Sequence, residues 1–211
     1  TSMATTQTLI ELPRPNIQSL DVTLIGDAPL IVHKWSEKAK KQIRDKQQKK
    51  ATAGREAKNP DQEFKDSLHI TPEGKYGFPV IGIKAAAVTA CTSTGSITKV
   101  AARQAFHIDG EYAVVEGSKP TMREDMVKVG MGVADIRYRG QYWPWYTTVR
   151  IRFNANVLSS EQIVNLLNTA GFGVGLGEWR PERDGQFGIF HVATGDEMKK
   201  LNGNGKHKGS K

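Results

Sequence analysis

Six of the chain's 21 glycines fall at positions 171, 173, 175, 177, 185 and 188, interleaved with Arg180, Arg183 and aromatic residues. Glycine weakens helix and strand interiors and tolerates positive φ, so this stretch reads as a loop whose main chain is closely approached. Arginines inside such a loop point to an anionic ligand, because guanidinium groups pair with phosphate and backbone N–H groups form anion-binding concavities. A hairpin that merely ends the preceding helix is the structural alternative. The pattern is not a phosphate loop, since no Gly-Lys-Ser/Thr follows. It is not a dinucleotide fingerprint either, since Gly173 and Gly175 follow a helical and not a strand pattern. No cofactor is therefore expected.

The flanking segments set the fold class. Val149, Ile151 and Phe153 alternate with Arg150, Arg152 and Asn154, which predicts a strand over 147–155 with one apolar and one basic face. Ser159 or Ser160 can cap a following helix whose stripe is Ile163, Leu166, Leu167 and Ala170, with Gly171 as its C-terminal glycine and a last strand over 187–192. Nearer the start, Leu20, Val22 and Leu24 alternate before Gly26-Asp27, and Leu30 to Val32 resume as strand. Residues 76–91 read as strand, turn and alanine-rich helix, and residues 105–115 as a hairpin turning at Asp109-Gly110. Strands alternating with two packed helices give an α+β fold, a ferredoxin-like sheet with helices on one face and the other open. On that open face Arg150 and Arg152, with Tyr142, Trp143, Trp145 and Tyr146 nearby in sequence, suggest stacking plus charge for single strands; about half of the aromatics are expected in the core.

The net charge of +8 is unevenly spread. Residues 34–58 hold ten Lys/Arg against three acids, and residues 196–211 five lysines against two acids, so the body is close to neutral. Ser36 can cap a helix whose apolar positions are only Ala39, Ile43 and Ala51, so residues 36–62 are expected to project from the body. The predicted organisation is an extended arm over 1–17, one domain over 18–195 with the projecting insertion 36–62 and a charged loop 119–140, and a disordered basic tail over 196–211. A basic segment on a neutral body suits phosphate neutralisation, or else a solvated face.

Other chemistries find little support. One cysteine, Cys91, excludes an intrachain disulfide and a Cys-based zinc cluster. The five histidines, His33, His69, His107, His191 and His207, have no metal-ligand spacing, so no metal is expected. No segment has the roughly 18 consecutive apolar residues of a transmembrane span and no signal-peptide core is evident, so a cytoplasmic protein is expected, with no membrane partner.

Phe78, Pro79, Gly82, Lys84 and Ala85 to Ala87, the βα unit at 149–170, and Gly175, Gly177, Arg180, Arg183, Gly185 and Gly188 resemble, in that order, three blocks of the repeat-associated (RAMP) superfamily of CRISPR effector proteins, especially backbone subunits. Ala85 stands where that family usually has glycine. The wording Gly177-Glu-Trp-Arg-Pro181 is also similar to bacteriophage proteins, which makes a phage relative the expected source. The resemblance implies a modified RNA-recognition-motif sheet and a glycine-rich loop lying against RNA backbone.

The combined reading is a non-catalytic protein that coats single-stranded RNA or DNA as an oligomer. Its expected binding residues are Lys34, Lys38, Lys40, Lys41, Arg44, Lys84, Arg150, Arg152, Gly175, Gly177, Arg180, Arg183, Gly185 and Gly188. The alternatives are a metal-independent endoribonuclease using His33 as acid/base, a phage single-stranded DNA annealing protein, and a structural protein whose basic arm meets an acidic partner.

Overall fold

The computed structural model describes residues 13–35, 37–50, 58–129 and 133–205. In chain order the elements are β1 (Ile17–Gly26), β2 (Leu30–Val32), α1 (Glu37–Gln47), α2 (Pro60–Ser67), β3 (His69–Ile70), β4 (Tyr76–Pro79), α3 (Val80–Thr94), α4 (Lys99–Ala105) and β5 (Phe106–Ile108). There follow β6 (Tyr112–Val114), β7 (Glu116–Gly117), β8 (Thr121–Val129), β9 (Val133–Tyr142), β10 (Trp145–Asn154), α5 (Ser160–Gly173), a 3₁₀ turn (Pro181–Arg183), β11 (Phe190–Val192) and α6 (Gly195–Gly205).

The alternation at 147–155 becomes β10, a central strand of an antiparallel sheet ordered β11-β1-β10-β5, with β7 adding a short pairing to β10. Because side chains alternate across a strand, the register places Val22 opposite Val149, Leu20 opposite Ile151, Ile151 opposite Ile108 and Phe153 opposite Phe106 on one apolar face. The helices α3 and α5 cover that face. Along α3 the alanines Ala86, Ala87 and Ala90 allow close approach, and α5 contributes Ile163, Leu167 and Ala170 to the same core. The order β1-α3-β5-β10-α5-β11 is that of a ferredoxin-like α+β sheet. Ser159 opens α5 with a reciprocal capping box to Gln162, worth about 1 kcal/mol. Two smaller sheets, β2-β9-β8 and β3-β4-β6, flank the main one.

Four segments differ from the sequence-based expectation. Residues 105–115 form no hairpin: β5 pairs with β10 and β6 with β4, because Phe106 and Ile108 are drawn into the main core while Ala113 is buried beside β4. The expected loop at 119–140 is the long antiparallel pair β8 and β9, whose charges hid its strand character because they pair with one another across the hairpin; residues 130–132 lie outside the described residues. Toward the end of the insertion, expected only to project from the body, Asn59 and Pro60 start a second helix. Asn59 caps α2 by accepting from the Gln62 amide at 3.1 Å, and Ser67 at its end receives the Gly140 N–H at 2.9 Å.

The tail expected to be disordered from residue 196 forms α6, because the Thr194 amide and hydroxyl both donate to the Glu197 carboxylate at 2.8 Å and fix its first turn. Residues 206–211 lie outside the described residues, as do residues 1–12 of the arm. Among the described residues no helix is long and apolar enough to cross a membrane.

Candidate nucleic-acid interface

The glycine-rich loop folds onto its own protein. Leu176 N–H donates to Gly188 O at 3.0 Å, Gly188 N–H to Pro29 O at 2.8 Å, and Glu178 N–H to Ile31 O at 2.9 Å, stitching the loop to β2 and to the turn before it. Two glycines are required by this path. Gly177 has φ +72° and Gly188 φ +67°, and a Cβ at either would overlap a carbonyl oxygen, of Ile31 and of Leu176 respectively. Gly185 is likewise packed on Trp179 main chain. Arg180 closes the turn from within: its Nε and Nη2 donate to Glu182 Oε2 at 2.9 and 2.7 Å, and its Nη1 to Gly177 O at 3.0 Å. Arg183 is exposed and has no ion-pair partner among the described residues.

A cleft of about 390 Å³ lies between this loop and the start of α3. One wall is Pro79, Ile81, Gly82 and Ala85; the second is Gly175, Leu176, Gly177, Glu178, Arg180 and Glu182; His33 and His69 form the third with Val32. Thus the strand-to-helix turn and the glycine-rich loop, far apart in sequence, meet across one space. Burial, and then the charge of Arg139, push the His33 imidazole below its ordinary pKa, against an opposing contribution from Glu178. Burial, followed by Lys34 and Lys40, pushes His69 down to about 4. Both rings are therefore neutral at pH 7. The contributions of Lys34 and Lys40 to His69 put their charges within electrostatic range of the cleft.

The exposed basic groups sort into two kinds. On α1 no described residue is buried; Lys40 pairs with Glu37 at 2.8 Å, while Lys41 and Arg44 have no ion-pair partner among the described residues. Lys38 lies on α1, and its side chain is outside the described residues. On the outer face of the main sheet, by contrast, Arg150 is bidentate to Asp21 at 2.8 and 3.0 Å, and Arg152 donates to Asp109 at 2.6 Å. Lys84 is turned away to hold α3 against its neighbours, donating to Arg103 O at 2.9 Å with its ammonium 5.6 Å from the Phe106 ring centre. Trp145 and Tyr142 are buried, whereas Trp143 is half exposed.

The structure also assembles a network that sequence reasoning missed. Buried Arg139 donates to Asp125 at 3.3 Å and stands 3.7 Å from Glu178; Arg123 donates to Asp125 at 2.7 Å and lies over the Phe187 ring at 4.8 Å. This network braces the β8–β9 hairpin against the glycine-rich loop. His69 and Glu178 are further cleft residues with no motif to announce them, though Glu178 lies inside the glycine-rich segment. Among the described residues no group of three or more His, Cys, Asp or Glu is placed to hold a metal ion.

The fold has known counterparts. It is similar to a chain in the cryo-EM structure of the Type III-B Cmr-beta bound to cognate target RNA, with a TM-score of 0.53 and 12% identity over 84% of this chain. The matched region covers 59% of that longer chain. The crystal structure of Cmr6 from Pyrococcus furiosus is similar with a TM-score of 0.45 and 9% identity, covering 84% of this chain and 99% of that one. No protein-family model matches the sequence, and no curated protein matches it.

Proposed function

We propose that this protein binds single-stranded nucleic acid, RNA or DNA, without cutting it, and self-associates along the strand. The observation that carries the reading is α1, on which Lys41 and Arg44 are exposed and have no ion-pair partner among the described residues, with Lys40 within electrostatic range of His69 in the cleft. A helix with no described residue buried gains little from folding in isolation, and its unpaired cations are available to displace counterions from a polyphosphate. Lys34, Lys38, Lys40, Lys41 and Arg44 would then clamp the strand, with Gly175 and Gly177 shaping the loop that walls the cleft. Arg183 would reach phosphate from the solvent side of the loop. The likeness in fold to a chain of the RNA-bound Cmr-beta supports RNA as the first ligand to test. Exposed Phe172 and Met126, at 81% and 79%, supply apolar surface for subunit contacts.

A second reading rests on the two neutral histidines lining one cleft: His33 with His69 could move protons in metal-independent RNA cleavage. One preparation tests both. The full chain, purified without nuclease, is sized, assayed for co-purified nucleic acid, and titrated with labelled single-stranded RNA and DNA at several salt concentrations in EDTA. Steeply salt-dependent binding with intact strands is the expected result. A monomer that shifts no strand at low salt overturns the binding reading, and cleavage that His33→Ala abolishes replaces it with the nuclease.

A further inference from the structure

The cleft is poorly suited to phosphate. Glu178 and Glu182 both line it, and the one arginine in its wall, Arg180, is already bonded to Glu182 and to Gly177 O. The two imidazoles add no positive charge at neutral pH. Val32, Phe78, Pro79, Ile81 and Leu176 give it apolar walls beside Thr89, and its volume of about 390 Å³ falls in the range of small-ligand sites. A flat, uncharged, donor-bearing group fits this chemistry. On a nucleic acid that group is a base, and single strands are commonly read by splaying bases out of the stack.

The polar groups favour one base over the others. A carboxylate only accepts hydrogen bonds, so Glu178 selects an edge that presents donors. Guanine has two adjacent ones, N1–H and N2–H, which match the two carboxylate oxygens; adenine, cytosine and uracil offer no such pair. Glu178 is held for this role. Its own N–H is tied to Ile31 O at 2.9 Å by the turn at Gly177, and its Oε2 stands 3.7 Å from the buried Arg139 guanidinium. His33, without a hydrogen-bond partner among the described residues, has a ring N–H available for the guanine carbonyl O6.

We infer, resting on the strand-binding reading above, that the cleft between α3 and the glycine-rich loop receives one unstacked base of the bound strand, guanine above the others, recognised by Glu178 and His33. The phosphates then run along the rim past Lys34 and α1, and the base points inward.

Fluorescence anisotropy of the full chain with labelled oligouridines carrying a single central G, A or C tests this. The G-containing strand is expected to bind about 10-fold more tightly than the A- or C-containing ones, as for a good bidentate base contact. Glu178→Gln, whose amide offers one acceptor in place of two, is expected to bring G down to the level of A. Ala85→Leu, an exposed helical position on the opposite wall and outside the Arg139 network, fills the cleft and is expected to abolish the preference even if the Glu178 variant folds poorly. Equal affinity for G, A and C with strand binding intact overturns the base pocket and leaves the strand-binding reading standing. A preference that survives both substitutions also overturns the assignment to this cleft. Failure to bind any strand overturns both.

Discussion

The glycine-rich loop and α1 both carry residues suited to contacting phosphate, yet they differ in what they leave unsatisfied. In the loop, the main-chain groups of Leu176, Glu178 and Gly188 are spent on β2 and on the loop itself, and Arg180 is spent on Glu182 and Gly177. On α1, Lys41 and Arg44 have no ion-pair partner among the described residues, and no described side chain is buried. A residue already engaged by its own protein shapes a site; one that is free can recruit a ligand. The loop is thus a wall of the cleft, its glycines serving close approach of protein to protein, and α1 is the surface with charge to offer.

Gly177→Ala is the strongest test of that division. Positive φ costs an L-residue about 1–2 kcal/mol, and the added methyl must also displace the Ile31 carbonyl, so the total loss of stability should be on the order of 3 kcal/mol. For a chain of this size that lowers the melting temperature by roughly 6–12 °C. An unchanged melting temperature with weakened strand binding would reverse the assignment and make the loop a ligand surface. The complementary variant, Lys40→Gln with Lys41→Gln and Arg44→Gln, should leave the melting temperature unchanged and weaken single-strand binding roughly 10-fold or more at low salt. It should also reduce the slope of log affinity against log salt by about 2, since each phosphate contact on a single strand contributes about 0.7. An unaltered slope would remove α1 from the interface.

Local pattern carried the elements that bury one clean face. Val149, Ile151 and Phe153 announced β10, and Ser159 with Ile163, Leu166 and Leu167 announced α5, because period and cap are encoded within a few residues. The β8–β9 hairpin was illegible for the opposite reason. Its inward positions include Arg139 and Asp125, charged side chains that are buried only because each finds the other across the hairpin, and Glu178 arrives from a segment some forty residues on. Such compensation has no local signature. Two misreadings did have one: Thr194 with Glu197 is a capping-box spacing that marks α6, and Asn59-Pro60 is a cap followed by a first-turn proline. At the site, the glycine-rich segment was visible as a loop, but its partner wall on α3 and the third wall at His33 and His69 came together only through the tertiary fold. Charge was legible on the outer sheet face; its neutralisation there was not, because Asp21 and Asp109 lie far in sequence from the arginines they pair with.

That last point yields the smallest predicted effect and the finest test of the comparison. Arg150 and Asp21 form an exposed bidentate pair on the outer sheet face, and together they contribute no net charge toward a strand. Removing Arg150 alone would be misleading, since the orphaned Asp21 would repel phosphate and weaken binding whether or not the arginine ever touched it. The paired variant Arg150→Gln with Asp21→Asn keeps the local charge balanced. Exposed ion pairs of this kind contribute little, so single-strand affinity should change by less than about 2-fold and the salt slope should not move. A slope shallower by about 0.7 would mean that Arg150 exchanges Asp21 for a phosphate when the strand binds, and would bring the open face of the main sheet back into the interface beside α1.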